Sequence, residues 1–474
     1  MIASQRLRTR GHAGGCRGLG GRPLWHRPGA LQLCWSVLAG LVAVWPPAPL
    51  AGQASLRYEI DTLPNGLRVI LSEDQSTPVV SVDVWYRVGS RNEEVGRSGF
   101  AHLFEHMMFQ GSRHVGKGQH FQLIERAGGD LNGTTDEDRT AYFQELPANR
   151  LNLALWLEAD RMRSLAITVE NFENQRQAVK EERRLRVDNQ PYAPAFTEGI
   201  ALLYDSTTCF GYAHSVIGSM TDLDSAKVGD VQAFFDRYYA PNNATLVIVG
   251  DFDPAEARQL IRQYFGDVPR GREPPAVSCG HEFAPSARRR VWEDEHANLP
   301  AVIIAYRTPG HRDPDTPALA LLGTILGGGE SSRLNRALVR QARTALAAGS
   351  QSVSRLGPGY FLTFAIANQG IGSDTLERQL SAELQRIIDE GVTPEELTKA
   401  RNEFRASNIF GRQTTMQIAE RLQHYAHFHD SVEEMRTDLD RYLAVTADDL
   451  RRVAGRYLIP ANSFTIVVIP KEGR

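Results

Sequence analysis

The chain should fold as two copies of one α+β unit, each a mainly antiparallel sheet packed with helices. Tyr239-Ala-Pro-Asn-Asn-Ala-Thr-Leu-Val-Ile-Val-Gly250 recurs in outline as Leu458-Ile-Pro-Ala-Asn-Ser-Phe-Thr-Ile-Val-Val-Ile469. Val82 to Arg87, ending Trp-Tyr-Arg, is echoed by Val302 to Arg307, ending Ala-Tyr-Arg. Both echoes are offset by about 220 residues, the size of one large domain. With 474 residues, 42% hydrophobic and 23% charged, the chain has the length for two domains and the composition of a soluble globular protein.

Residues 1–54 stand apart from this fold. Arg6, Arg8, Arg10, Arg17, Arg22 and Arg27, with no acid among them, precede an apolar run from Leu31 to Trp45, then Pro-Pro and the small-residue stretch Ala51-Gly-Gln-Ala54. That order is the order of a secretory signal, so the protein is expected to be exported and periplasmic. The run is shorter than the ~20 apolar residues that span a bilayer comfortably, which argues against stable membrane insertion of the mature chain. Loss of those six arginines takes the net charge from −3 to −9, which argues against nucleic acid as a partner. Cys16 and Cys34 fall in the same segment, leaving Cys209 and Cys279, which an exported protein could join but which, without any surrounding motif, read more simply as two buried thiols.

A first lobe is expected over 55–268. From Leu56 the chain reads as a hairpin, with Leu67 to Leu71 following the turn signal Pro64-Asn-Gly66, and Val79 to Val88 is a long β-rich run. Residues 99 to 109, Gly-Phe-Ala-His-Leu-Phe-Glu-His-Met-Met-Phe, then form a helix in which His102, Glu105 and His106 stand at i, i+3 and i+4. At 3.6 residues per turn the three fall within about 100° of one another. Phe100, Leu103, Phe104, Met107 and Met108 occupy the rest of the circumference, so this helix should be buried with its polar stripe facing a cavity. Two imidazoles and a carboxylate would be costly to bury unliganded. The spacing suits one zinc ion held by neutral imidazoles, with Glu105 placed to take a proton from water. The competing reading is a hydrogen-bonded histidine pair with a salt-bridging Glu.

Gly128 to Tyr142 reads as strand, polar turn and strand, and Leu151 to Arg163 and Val169 to Val187 as helices. The second helix carries adjacent acids, Glu181 and Glu182. Stepping about 100° per residue from Phe172, Val179, Gln175 and Glu182 lie within about 80° of it on one side, whereas Glu181 is opposite. Glu182 therefore faces inward. Pro269 to Ala287, rich in Pro, Gly and Ser, is the expected linker over 269–287, and 288–474 is the second lobe. There the position matching the histidine helix holds Leu321-Leu-Gly-Thr-Ile-Leu-Gly-Gly-Gly, so only the first copy can hold this metal. Gly327 to Leu334 lacks the Gly-Lys-Ser/Thr ending of a phosphate loop. His424, His427 and His429 read as a solvated helix end.

His-x-x-Glu-His is the mirror order of the common zinc-protease motif. The wider stretch His102 to Ser112, His-Leu-Phe-Glu-His-Met-Met-Phe-Gln-Gly-Ser, resembles the insulinase/pitrilysin metallopeptidases, and most of all the short bacterial members related to the mitochondrial processing peptidase. The resemblance implies that the two lobes form half of a clamshell. It implies a zinc-dependent endopeptidase acting on peptides or unfolded segments, with one Zn2+ per chain held by His102, His106 and Glu182. Where many relatives have a second Glu two turns before the third ligand, this chain has Gln175. The stretch resembling Asn132, Gly133 and Thr134 is, in the family, an edge strand that pairs with extended substrate. Family members also complete their site with an Arg and a Tyr from the opposite half; the Arg position is filled by Arg340, but the Tyr position is Ala347. That departure implies a heterodimer with a related chain lacking the zinc motif; the alternative is a homodimer, which would close the chamber but bring Ala347 again. A family member can also be a structural or assembly subunit with a vestigial site.

Overall fold

A computed structural model describes residues 56–279 and 287–471; the basic and apolar N-terminal segment with Cys16 and Cys34, and residues 280–286 of the expected linker, lie outside the described residues. Runs rich in β-branched and aromatic residues form the strands. They are β1 (Glu59–Thr62), β2 (Arg68–Glu73), β3 (Val79–Tyr86), β4 (Asp130–Thr135), β5 (Thr140–Pro147) and β6 (Ala244–Gly250), then β7 (Arg288–Asp294), β8 (Ala301–Thr308), β9 (Ala345–Val353), β10 (Gly359–Ala367) and β11 (Ser463–Pro470).

The first sheet has the order β1-β2-β6-β3-β5-β4 and the second β7-β11-β8-β10-β9. In each, one pair is parallel, β2 with β6 and β7 with β11, and every other pairing is antiparallel. Setting β2 on β7, β6 on β11, β3 on β8, β5 on β10 and β4 on β9 superposes the two plans, with β1 as an addition. The α+β duplication is thus visible strand by strand.

Alternation along the strands assigns their two faces. Val80, Val82, Val84 and Tyr86 of β3 enter a core shared with the helices Phe100–Met107, Leu151–Ser164, Val228–Tyr238 and Pro254–Phe265. Ser81, Asp83 and Trp85 point the other way and are buried nonetheless. Their cover comes from the other half of the chain. The helix Thr415–His424 packs on β3 and β6, with Thr415 Oγ1 2.8 Å from Ser81 Oγ and Gln423 Nε2 donating to the carbonyls of Asp83 and Thr245. The arrangement is reciprocal. Ala195, Ile200, Leu203, Tyr204 and Tyr212, from the first half, form a core with Ala301, Ile303 and Ala305 of β8 and with Phe464, Ile466 and Val468 of β11.

Two expectations are corrected here. His427 and His429 are buried, at 6% and 5% exposure, and His424 is partly so, because the helix they end lies against a sheet instead of in solvent. Cys209 and Cys279 are not separate thiols; they are joined in a disulfide that ties the segment covering the second sheet to the first part of the linker. Among the described residues no helix is long and apolar enough to cross a membrane.

Replacing Cys209 and Cys279 together by Ser should lower the unfolding free energy by about 2–4 kcal/mol. Denaturant titration of both proteins measures this, and coincident transitions would show that the bond does not contribute.

Candidate metal centre

Residues ahead of the helix Phe100–Met107 hold its first turn. Glu93 is buried and accepts the backbone N–H of Gly99 at 2.8 Å and of Ala101 at 2.7 Å, so a carboxyl group caps donors that have no partner within the helix. Gly99 has φ +94° and meets Gly218, at φ +76°, back to back; a Cβ added to Gly218 would lie 2.4 Å from Gly99 Cα. The far side of the helix is fixed by its apolar residues. Phe104 stacks on Tyr239 with ring centroids 4.8 Å apart, and Tyr142 Oη donates to the Phe104 carbonyl at 3.0 Å.

What remains of the circumference is the polar stripe. His102 and His106 bring their rings to 5.0 Å between centroids, and Glu182 Oε2 lies 3.6 Å from His102 Nε2 and 3.2 Å from His106 Nε2. Donors around a tetrahedral zinc at ~2.0–2.1 Å stand roughly 3.3 Å apart, so these three atoms fit that ion. Their chemistry fits as well. Burial pushes the His102 imidazole down to about 4, keeping it neutral with a lone pair to give. Burial alone would raise Glu182, but the hydrogen bond to His106, the two imidazoles and Arg186 outweigh it and hold the carboxyl at about 2. Arg186 Nη1 takes the other carboxylate oxygen, Oε1, at 2.8 Å.

Glu182 sits on the helix Val169–Arg183, which packs beside the histidine helix, while Glu181 is exposed and paired with Arg184 at 3.0 Å. Gln175 is on the buried face of the same helix, and its amide donates to Asn174 Oδ1 at 2.8 Å. Glu105 lies under β4: a Cβ added to Gly133 would be 3.2 Å from Glu105 Cγ. Burial raises the Glu105 carboxyl above its ordinary range, against the lowering effect of the Thr135 hydroxyl.

Asn132, Gly133 and Thr134 pair with Phe143, Tyr142 and Ala141 of β5 on one side only, so β4 is an edge strand of its sheet. Two backbone N–H groups of that strand, at Leu131 and Gly133, are held by the side-chain oxygens of Asp130 and Asn132. Arg340 is exposed and pairs with Glu330. Ala347 lies on β9, the edge strand of the second sheet. The structure therefore gathers His102, Glu105, His106 and Glu182 into one place next to Gly133. Glu93, Tyr142 and Arg186, which hold these residues in position, carry no signal in the sequence beyond their residue types.

Residues 68–199 match the family described as insulinase (peptidase family M16), and residues 225–404 match the peptidase M16 inactive domain. A zinc protease, PqqE, of Helicobacter pylori is 30% identical over 439 residues, covering 91% of this chain and 98% of that one. A probable mitochondrial-processing peptidase subunit beta of Arabidopsis thaliana is 25% identical over 415 residues, 84% of this chain and 76% of the relative. Among solved structures, a protease from Helicobacter pylori superposes with a TM-score of 0.83 at 30% identity, over 88% of this chain and all of that one.

Glu182→Ala should lower the zinc content of purified protein sharply, and Glu181→Ala should leave it at the parent value. Elemental analysis of matched preparations checks this; equal zinc in the two variants would refute the assignment of Glu182.

Proposed function

The chain belongs to the insulinase family, peptidase family M16, and we propose that it is a zinc-dependent endopeptidase acting on peptides or unfolded protein segments. The observation that carries this reading is the convergence of two imidazole nitrogens and a carboxylate oxygen beside Glu105. Held by His102, His106 and Glu182, zinc would supply Lewis acidity toward water and the scissile carbonyl. Glu105 takes a proton from the attacking water and returns it to the leaving amine.

Substrate binds by strand addition at β4, where Asn132, Gly133 and Thr134 offer an open sheet edge. Main-chain pairing accepts many sequences, which suits a protease of unfolded segments. Gly133 packs over Glu105, so a peptide added there runs past the base. The Cys209–Cys279 bond supports an exported, periplasmic location, since disulfides persist in oxidising compartments.

The working unit is a heterodimer with a related chain that lacks the zinc motif and brings the Tyr missing at Ala347. A methyl group cannot donate the hydrogen bond that stabilises the oxyanion of a tetrahedral intermediate. The same residue favours a second reading, in which the chain is a structural or assembly subunit of the family without peptidase activity.

Glu105→Gln keeps the shape and the ligands and removes the base, so hydrolysis of a quenched peptide should fall at least ~100-fold with zinc content unchanged. Cleavage at the parent rate would rule out the role given to Glu105. Purified alone, the chain should cleave slowly, and adding the partner should raise the rate on the order of 100-fold. Equal rates with and without the partner would refute the heterodimer. No cleavage by either preparation at full zinc occupancy would establish the structural subunit.

A further inference from the structure

A second trio of metal-type donors lies where the two halves of the chain meet. His311, in the loop after β8, and His424 and His429, at the end of the helix that covers the first sheet, bring one ring nitrogen each to within 4.8 Å of one another. The sequence conceals this grouping because His424 and His429 are five residues apart, about 140° around an α-helix. Here Tyr425–His429 is a π-helical turn, whose i→i+5 closure returns His429 to the side of His424.

The outer atoms of these rings are already oriented. His429 Nδ1 lies 2.6 Å from Glu434 Oε2, and a carboxylate can only accept, so the proton is on Nδ1 and Nε2 carries a lone pair. His311 Nδ1 lies 2.8 Å from Ser354 Oγ, a hydroxyl able to donate or accept. The two Nε2 atoms face each other at 2.7 Å, so His311 Nε2 carries the proton between them, which a bound metal would displace. Carboxylate or hydroxyl behind one ring nitrogen, with the other nitrogen converging on its neighbours, is the arrangement found behind metal-bound imidazoles. Glu434, Asp438 and His429 line an open cleft through which an ion can arrive.

We infer that His311, His424 and His429 form a second binding site for a divalent metal that favours imidazole, zinc foremost, which fastens the second half's β8 loop to the helix covering the first half's sheet. Closing the ion requires the two Nε2 atoms to part to roughly 3.3 Å and His424 to move in. This site stands apart from the one held by His102 and His106, and the inference does not depend on peptidase activity.

The test uses the full chain loaded with zinc, dialysed and analysed for metal, with Co2+ absorption as a second readout. Wild-type protein should retain two equivalents. A His102→Ala/His106→Ala variant should retain one, with the visible bands of a tetrahedral cobalt site, and melt at a higher temperature with zinc than without. Adding His311→Ala and His429→Ala should abolish all three signals. Should the first variant fail to fold, His424→Ala in the wild-type background must still lower the stoichiometry from two to one. One equivalent in saturated wild-type protein, lost with His102 and His106 alone, would overturn the inference and leave a hydrogen-bonded histidine pair. Zinc retained after removal of all four histidines would overturn it as well.

Discussion

Each sheet in this chain is buried on both faces, and neither copy of the duplicated unit carries enough helix to cover both. β3 and β6 have almost no exposed residue, so the apolar area they present must be matched front and back. The front cover is local, and the back cover is borrowed from the other copy. Thr415–His424 lies behind the first sheet and the 192–212 segment behind the second, at positions related by the same offset as the strands. The exchange also meets the backbone needs of β3: the helix end behind it supplies Gln423, which donates to the Asp83 backbone carbonyl, while burial raises the Asp83 carboxyl well above its ordinary range. Separating the copies would expose the backs of both sheets at once, so the two lobes stand or fall together. The front of the first sheet is thereby left to the first copy's own helices, the histidine helix among them.

The edge strand of that sheet shows a similar economy. An unpaired strand edge invites association with any other strand, and proteins suppress this with local devices. In β4 the device is side-chain capture of the N–H groups of Leu131 and Gly133 by Asp130 and Asn132. Both bonds are short-range and part-buried, and any strand added at this edge would have to displace them.

Local periodicity explains what could be read from the sequence. His102, Glu105 and His106 are close in the chain, so one helical period suffices to group them, and Glu182 follows from the facing of a second helix whose apolar residues, Phe172 and Val179, mark the inside. The strand correspondences were legible because β6 and β11 keep the same apolar string. Long-range pairing was not. Cys209 and Cys279 stand 70 residues apart with nothing around them to mark a pair. Glu93 reaches the start of the histidine helix through a loop. The cluster of His311, His424 and His429 needs both a π-helical turn, invisible to a 100° periodicity, and the exchange of helices between copies. The solvated helix end expected there failed for that single reason: nothing in a helical wheel says which sheet the helix will cover.

The second copy also serves as an internal control for the first. Its equivalent of the histidine helix, Thr316–Gly327, is buried against the same kind of sheet and presents Leu319, Leu321, Leu322, Ile325 and Leu326 to the core, with no histidine or acid. The architecture therefore closes well over an apolar helix at that position. Placing two imidazoles and a carboxyl group there instead costs desolvation without improving packing, and the ion pair of Glu182 with the exposed Arg186 adds little stability in return. A stripe that the fold does not need, in one copy and not in its twin, is what a site kept for its chemistry looks like. The asymmetry also says where function was free to diverge. Once one copy held the polar stripe, the other could become apolar at that helix and retain only what the first sheet requires of it, the cover at its back.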